Sequence, residues 1–461
     1  MILVSQIYAI RPNQTKRAHL RQIITQKGAI SIKVKFITLG CKTNIYESEA
    51  MAQLFEDAGY TVTKGIADIC VINTCTVTGT GAAKSLKQIR RARRENPDAV
   101  LAVTGCLAQT EADKLRSGEN IDVLIGNRYR ADIVRLCEEA MRGNKTDKIE
   151  DILKVTEYEE LGIVHRQRRI RAEIKIEDGC NNFCSYCKIP YARGPVRSRN
   201  IDQIRREAEA LAADGYSEIV LTGIHIGSYG KDLNDGSGLI DVMETVDKAC
   251  DDIRLRLGSL EPVMIDENFT ERAAALKSLC PQFHLSLQSG CDKTLSAMRR
   301  RYTAEDFRRA VKNLRSAFKD AAITTDLIVG FPGETETDFE ESKRFCEEIG
   351  FSQMHIFPYS VREGTAAASL KNHVSEEDKT ERTHIMLEIA ARLKQEFYES
   401  HICTCTPVLF EQKRNGVWSG FTENYMEVRL KSENDLRGQT KNVILKEYDK
   451  INECLMAEEE N

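Results

Sequence analysis

Short apolar runs alternate with amphipathic stretches over most of the chain, the pattern of βα units feeding a parallel sheet. Between Lys33 and Gly143, strands are predicted at Lys35–Gly40, Ile69–Asn73, Val100–Thr104 and Val123–Ile125, and helical spacing runs from Glu47 to Ala58 and from Ala82 to Arg94. A polar stretch from Asn144 to Arg171 interrupts the alternation. It resumes with strands predicted at 172–177, 218–222, 254–258, 283–287, 322–329 and 353–358, six βα-like repeats that suit a partial or complete parallel barrel. After a helix predicted over Glu376 to Glu399 the pattern becomes short strands separated by Gly, Asn or Asp turns: Pro407–Phe410, Val417–Phe421, Met426–Leu430 and Asn442–Leu445. That arrangement suits a small antiparallel barrel of a kind often used for oligonucleotides. The acidic Glu458–Glu460 end is expected to be disordered.

The expected fold is therefore α/β: an open parallel α/β sheet domain over 33–145, a linker over 146–165, a partial (β/α)6 barrel over 166–400 and a small antiparallel β-barrel over 401–450. Residues 1–32 read as a basic extension. No acidic residue precedes Glu47, whereas Arg11, Lys16, Arg17, Arg21 and Lys27 are basic. This resembles a transit peptide in composition, and a plain basic arm explains it more simply.

Composition changes this picture in two places. At 41% hydrophobic and 30% charged the chain can build ordinary cores, and no run approaches the roughly 18 apolar residues of a membrane span. A cytoplasmic protein is expected, with no membrane partner and a monomeric state. The net charge of −4 hides local clustering: Lys84, Lys87, Arg90, Arg91, Arg93 and Arg94 crowd one helix, and Arg299, Arg300 and Arg301 are consecutive. Such patches suit a polyanion, although a solvated helix face explains a charge run equally well. Fifteen cysteines without a secretory signal point to metal or catalytic chemistry rather than disulfides.

Six of those cysteines are arranged for ligation. Cys180, Cys184 and Cys187 have CxxxCxxC spacing just after the first barrel strand. Three thiolates on so tight a loop can hold three irons of a cubane and leave the fourth iron open, whereas zinc normally takes four ligands and the nearest histidine is His165. Cys41, Cys75 and Cys106 each end or closely follow an apolar strand, 34 and 31 residues apart. Ligands of open parallel sheets bind beyond the carboxyl ends of the strands, so these three meet if their strands are neighbours. Buried structural cysteine is the plainer reading of any one of them. Cys70, Cys137, Cys250, Cys280, Cys291, Cys346 and Cys454 show no such arrangement, and Cys403 and Cys405 form a close pair without further ligands.

The CxxxCxxC loop, with Tyr186 before its third cysteine, resembles the radical S-adenosylmethionine (SAM) superfamily. That resemblance implies a 4Fe-4S cluster whose open iron chelates SAM, with reductive cleavage to a 5′-deoxyadenosyl radical. It also implies SAM contacts along the strand ends: Tyr186, Thr222, Gly223, Ser259, Gln288 and Asp326, with Glu261 nearby. The family carries an acidic residue after the second strand, and this chain has Thr222-Gly223-Ile224 there, so that contact must come from the backbone or from elsewhere.

The whole arrangement is similar to the radical SAM methylthiotransferases, on the motifs Thr38-Leu-Gly-Cys-Lys-Thr-Asn44, Asn73-Thr-Cys75, Thr104-Gly-Cys106, Gly179 to Cys187 and Arg193 to Arg199. The small barrel resembles a TRAM domain, which in that family engages RNA. The likeness implies two 4Fe-4S clusters, a second one on Cys41, Cys75 and Cys106, and a methylthio group replacing an inert C–H. No acid–base pair is needed for such chemistry. The opening motif and the Cys180 segment are most similar to the bacterial group that modifies threonylcarbamoyladenosine at position 37 of tRNA. Other groups modify isopentenyladenosine or a ribosomal protein aspartate, and an iron–sulfur RNA-binding or sensing protein is the reading from another class. The likeness further implies a tRNA anticodon stem-loop and a low-potential donor such as flavodoxin or ferredoxin as partners. The helix from Lys84 to Arg94, the Arg193–Arg199 loop and the aromatic residues Trp418, Phe421 and Tyr425 are the expected RNA contacts.

Overall fold

A computed structural model describes residues 31–76, 79–163, 170–250 and 252–460. The basic extension lies outside these residues except for Ser31 and Ile32. The chain divides into two compact units, 1–152 with 159–162, and 153–158 with 163–461.

The first unit is built on a six-stranded parallel sheet of β1 (Lys33–Thr38), β2 (Thr61–Val62), β3 (Ile69–Thr74), β4 (Val100–Gly105), β5 (Val123–Ile125) and β6 (Thr146–Lys148), in the order β2-β1-β3-β4-β5-β6. Strand side chains alternate between faces, and here both faces are covered. Ile69, Val71, Val100 and Ala102 pack with Met51 and Phe55 of α1 (Lys42–Asp57). Cys70, Ile72, Leu101 and Val103 pack on the other side with Ile89 and Ala92 of α2 (Gly79–Glu95). That double covering is why these strands read as continuous apolar runs.

The stretch expected as a linker begins as the edge strand β6, paired in parallel with β5. An edge strand faces solvent and tolerates charge. Its residues Thr146-Asp147-Lys148 are polar for that reason, with Asp147 held by Arg116 at 2.6 Å.

The second unit carries the barrel strands β7 (Arg171–Lys175), β8 (Glu177–Asp178), β9 (Arg197–Ser198), β10 (Glu218–Thr222), β11 (Arg254–Leu257), β12 (Ser259–Leu260), β13 (Gln282–Leu285), β14 (Ala322–Val329) and β15 (Gln353–Pro358). Two parallel sheets, β11-β10-β7 and β12-β13-β14-β15, share one hydrophobic core, and β8 and β9 form a short antiparallel pair. The third repeat is split at Gly258, whose N–H bonds to the Leu221 carbonyl at 2.8 Å and so leaves one sheet as the next begins.

The helix over Glu376–Glu399 leads into a closed barrel of β16 (Cys405–Arg414), β17 (Val417–Thr422), β18 (Glu427–Lys431), β19 (Thr440–Asp449) and β20 (Cys454–Glu459). This corrects the expectation of a disordered acidic end and a barrel closing at 450. Strand β20 pairs with both β18 and β19 and buries Cys454 and Leu455. Glu458 meets Lys446 at 2.9 Å, and Glu459 accepts from Ser432 Oγ at 2.8 Å. Two buried residues and a full set of ladder bonds thus outweigh the acidic run.

The two barrels are joined by charge. Glu218, fully buried, takes Arg256 through both oxygens at 3.0 and 3.1 Å and also pairs with Arg171. Arg256 Nη1 donates to the Glu423 carbonyl, and Arg254 donates to the carbonyls of Phe421 and Pro407.

Candidate iron–sulfur sites

The cysteine loop of the barrel is pinned at both ends. Gly179, at φ +90°, would place a Cβ 1.9 Å from the Pro195 carbonyl oxygen, so no side chain fits there. Cys180 N–H bonds to the Gly194 carbonyl at 3.0 Å, and Ser185 donates its N–H to the Met298 carbonyl and its hydroxyl to the Ala297 carbonyl. The Ile189 N–H points at Cys187 Sγ at 3.4 Å, and Arg300 Nη1 lies 3.6 Å from Cys184 Sγ. Burial raises the Cys180 thiol to about 12 and also raises Cys184, against which the Arg300 charge works. Thiols so placed stay protonated until something replaces the proton, and a soft metal centre does that. Tyr186 stands edge-on to Phe331 at 6.3 Å, packing beside Met298 and Tyr359.

The other expected contacts lie at strand ends, except Asp326, which lies within β14. Thr222 closes β10, and Gly223 follows it over Glu177. Ser259 Oγ bonds to Ser286 Oγ at 2.7 Å, and Asp326 on β14 lies 3.5 Å from His284 Nε2. Gln288 adopts φ +66° and exchanges backbone hydrogen bonds with Asp326 and Ile328 at 2.9 Å. Beyond β10, where the sequence lacks an acid, Glu177 supplies one from the first strand. It is fully buried and receives the N–H groups of Ile224 and His225. Burial raises its carboxyl to about 8, against the pull of the hydrogen bond from His225.

A polar network adjoins the loop, built on Glu261, which the sequence placed beside Ser259, and on partners the sequence did not connect to it. Glu261 accepts from Asn182 at 2.8 Å and meets His225 Nε2 at 3.1 Å and Arg300 Nη1 at 3.2 Å. Burial would raise this carboxyl, but the His225 hydrogen bond and charge and the Arg300 charge hold it below its usual value. The Arg299–Arg301 run was the available signal. Its middle member turns inward while Arg299 and Arg301 stay exposed.

In the first unit, β1, β3 and β4 are neighbours, and the three cysteines follow their carboxyl ends. Cys41 caps α1, Cys75 follows β3, and Cys106 opens α3 (Cys106–Thr110). A Cβ on Gly40 would lie 3.1 Å from Cys75 Cβ, which brings the first loop against the second cysteine. Asn44 donates to the carbonyls of Leu39 and Thr74 and to Asn73 Oδ1, while Asn73 Nδ2 returns a bond to the Asn44 carbonyl at 3.0 Å. The Cys41 thiol donates to Asn44 Oδ1 at 3.5 Å, and the Cys106 thiol has an amide donor beside it. Asn127 Nδ2 lies 3.7 Å from Cys106 Sγ, and Arg130 holds Asn127 by its carbonyl at 3.0 Å. Cys75 and Cys106 are buried and Cys41 is exposed.

Both cysteine sets suit an iron–sulfur cluster by their chemistry: three soft donors apiece, with hydrogen-bond donors or a cation beside the sulfurs and glycines where the backbone must come close. Among the described residues no three His, Cys, Asp or Glu side chains converge on a point that would hold a single ion. A cubane takes its thiolates at separate corners and needs no such convergence. The seven cysteines without a motif are all buried, and Cys403 and Cys405 are exposed.

Two expected RNA contacts are used elsewhere. Arg193, Arg197 and Arg199 are buried. The first two pair with Asp178 at 3.4 and 3.5 Å, and Arg199 pairs with buried Glu207. Trp418 is buried in the small-barrel core and donates Nε1–H to the Asn434 carbonyl at 2.9 Å. Phe421 and Tyr425 do stack, at 4.7 Å between centroids, but onto each other beside the Arg171 guanidinium. On α2, by contrast, Lys84, Lys87, Arg91 and Arg94 are exposed at helical spacing, while Arg93 is tied to Asp122 at 2.7 Å.

A partial parallel barrel bearing three cysteines after its first strand defines a radical SAM enzyme. The Radical SAM superfamily model matches residues 174–346, and a model described as uncharacterized protein family UPF0004 matches residues 33–126. A solved radical S-adenosylmethionine methyltransferase, TsrM from Kitasatospora setae with cobalamin and a [4Fe-4S] cluster bound, shares the fold at TM-score 0.56 and 14% identity, over 85% of this chain and 81% of that one. The threonylcarbamoyladenosine tRNA methylthiotransferase MtaB of Bacillus subtilis (strain 168) is 40% identical over 88% of this chain and 92% of its own. The tRNA-2-methylthio-N(6)-dimethylallyladenosine synthase of Carboxydothermus hydrogenoformans is 34% identical over 82% and 87%. The chain belongs to the radical SAM tRNA methylthiotransferase family. Its cofactors are accordingly 4Fe-4S clusters, two in proteins of this type, and SAM.

Proposed function

We propose that this protein adds a methylthio group to C2 of N6-threonylcarbamoyladenosine at position 37 of tRNA, next to the anticodon. The observation that carries the choice of target is the 40% identity to the Bacillus subtilis threonylcarbamoyladenosine enzyme, against 34% to the dimethylallyladenosine synthase, each over more than four-fifths of the chain.

Cys180, Cys184 and Cys187 hold one cluster and Cys41, Cys75 and Cys106 the other. When bound, the clusters supply the electron for reductive cleavage of SAM and hold sulfur for transfer to the base. Gly179 and the Ser185–Met298 and Ser185–Ala297 bonds fix the loop presenting the first three thiolates. Thr222, Gly223, Ser259 and Gln288 at strand ends and Asp326 within β14 line the place where SAM binds, and Tyr186 packs under the loop. The exposed cations of α2 neutralise phosphates of the anticodon stem-loop. A flavodoxin- or ferredoxin-like protein reduces the enzyme, which acts as a monomer in the cytoplasm. Among the described residues no helix is long and apolar enough to cross a membrane.

Nucleoside mass spectrometry of tRNA from a strain lacking this gene and any paralogue tests the target. The 2-methylthio derivative of threonylcarbamoyladenosine should vanish and return on complementation. Its persistence, with loss of the isopentenyl derivative instead, would transfer the assignment to that base.

A further inference from the structure

Arg300 places a cation beside one of the radical-site thiolates. Its Nη1 lies 3.6 Å from Cys184 Sγ and 3.2 Å from Glu261 Oε1. The guanidinium sits between two aromatic faces, 6.0 Å from the ring centre of Tyr186 and 5.5 Å from that of Tyr302. Arg300 Nε is buried and has no hydrogen-bond partner. The backbone works to put the side chain there. Arg299 takes φ +59°, which a non-glycine residue adopts at a cost, and this turns Arg300 inward between two exposed arginines. The Tyr302 hydroxyl fixes the far side by bonding to the carbonyls of Ser286 and Leu287.

A buried cation beside one thiolate does little that binding alone requires, since Cys184 is already presented by the Ser185 bonds. Its electrostatic consequence is definite. One-electron reduction adds a negative charge to the cluster, and a nearby positive charge in a poorly screened site favours the form carrying it. Glu261 opposes this effect from one hydrogen bond further out, and its own charge is shared among Asn182, His225 and Arg300.

On the reading that Cys180, Cys184 and Cys187 hold a four-iron cluster, we propose that Arg300 is a positioning residue that raises the cluster's reduction potential, with Glu261 as the counter-charge that limits the rise. The arginine touches Cys184, takes no part in bond making and remains protonated throughout. The electron comes from the external low-potential donor.

The test is an anaerobic redox titration of the full chain, reconstituted with iron and sulfide. Cys41, Cys75 and Cys106 are replaced by Ala so that one cluster reports, and its reduced form is followed by electron paramagnetic resonance without SAM. In Arg300→Gln the ratio of reduced to oxidised cluster at a fixed potential should fall about tenfold, a shift of about 59 mV for one electron. Glu261→Gln should move it the other way, and Arg300→Lys should restore most of the wild-type value. A merely structural role predicts loss of iron or shifts of one sign in both neutral variants, and either neutral variant failing to move while retaining its iron overturns the proposal. Should Arg300→Gln lose its iron, the direction of the Glu261→Gln shift decides alone. A shift seen only after SAM is added would make Arg300 a substrate ligand and overturn the proposal too. Absence of iron from this site in the wild-type loop would sink the functional reading itself, a result distinguishable from an unmoved potential.

Discussion

Glu177 and Gly223 are in contact at the mouth of the barrel: a Cβ on Gly223 would lie 2.3 Å from Glu177 Oε1. The carboxyl group takes the space a side chain would need while its oxygen accepts from the N–H groups that follow. Gly223→Ala must therefore push the turn off its anchor, at a cost of roughly 1–3 kcal/mol for forced overpacking. The expected outcome is a lower urea midpoint with unchanged slope, together with a weaker apparent affinity for SAM. An alanine variant with the wild-type midpoint would show that the turn yields freely.

The same carboxyl gives a pH signature. Folding raises Glu177 from 4.5 to about 8. Between those values the folded chain keeps a proton that the unfolded chain has released, so the native state binds more protons and stability falls as pH rises. The fall levels off above about pH 8 and has a slope of at most about 1.4 kcal/mol per pH unit for one group. Glu177→Gln, neutral throughout, should lose this component, so its stability relative to wild type should climb from pH 5 to pH 8. Parallel stability curves for the two proteins would exclude the buried, protonated carboxyl.

Substituting Cys41, Cys75 and Cys106 together by Ala should halve the iron of the reconstituted protein, from about eight to about four per chain, if each set holds a four-iron cluster. SAM cleavage to 5′-deoxyadenosine should persist in that variant while methylthio transfer is lost. Cys184→Ala should abolish the cleavage. An iron count unchanged by the triple substitution would remove the second cluster.

Periodicity made most of the strands legible, because central strands such as β3 and β4 are apolar runs buried on both faces. It also placed Cys41, Cys75 and Cys106 at the carboxyl ends of three strands, and the structure adds that those strands are adjacent. What pattern could not convey is direction. Arg193, Arg197 and Arg199 read as a phosphate-binding loop because a charge run looks the same whether it faces water or Asp178 and Glu207. Arg300 was hidden for the same reason among Arg299 and Arg301. Glu177 was missed because the acid was sought after the second strand, and the fold brings it from the first.

Arg256 should be worth more to stability than any surface charge. Its removal as Arg256→Ala leaves Glu218 fully buried with the Arg171 pair and the more distant Arg254 charge, and removes a hydrogen bond to the Glu423 carbonyl at the junction with the small barrel. Breaking a buried pair from one side costs roughly 3–5 kcal/mol, and the surviving arginine should keep the loss near the lower end, about 3 kcal/mol. The double variant Arg256→Met with Glu218→Leu, which removes both charges, should recover a good part of it. Denaturant unfolding of the three proteins decides. Equal losses in the single and double variants would mean that the arginine acts by packing and not by charge.

The RNA-binding surface can be tested by contrasting exposed with buried arginines and lysines. Lys84, Lys87 and Arg94 are exposed along α2, while Arg93 is pinned by Asp122 and by the carbonyls of Ala99 and Asn120. Each exposed cation that neutralises a phosphate releases about one counterion, so its replacement by Ala should weaken tRNA binding at low salt. It should also reduce the slope of log affinity against log salt by about one. The triple variant Lys84→Ala, Lys87→Ala and Arg94→Ala should thus lose affinity most at low salt and converge on wild type as salt rises, with iron content and SAM cleavage intact. Arg93→Ala should instead lower stability, because buried Asp122 loses the nearer of its two cations and keeps Lys145 at 3.6 Å. If the triple variant binds the anticodon stem-loop with the wild-type slope, α2 is a solvated face and the RNA lies elsewhere.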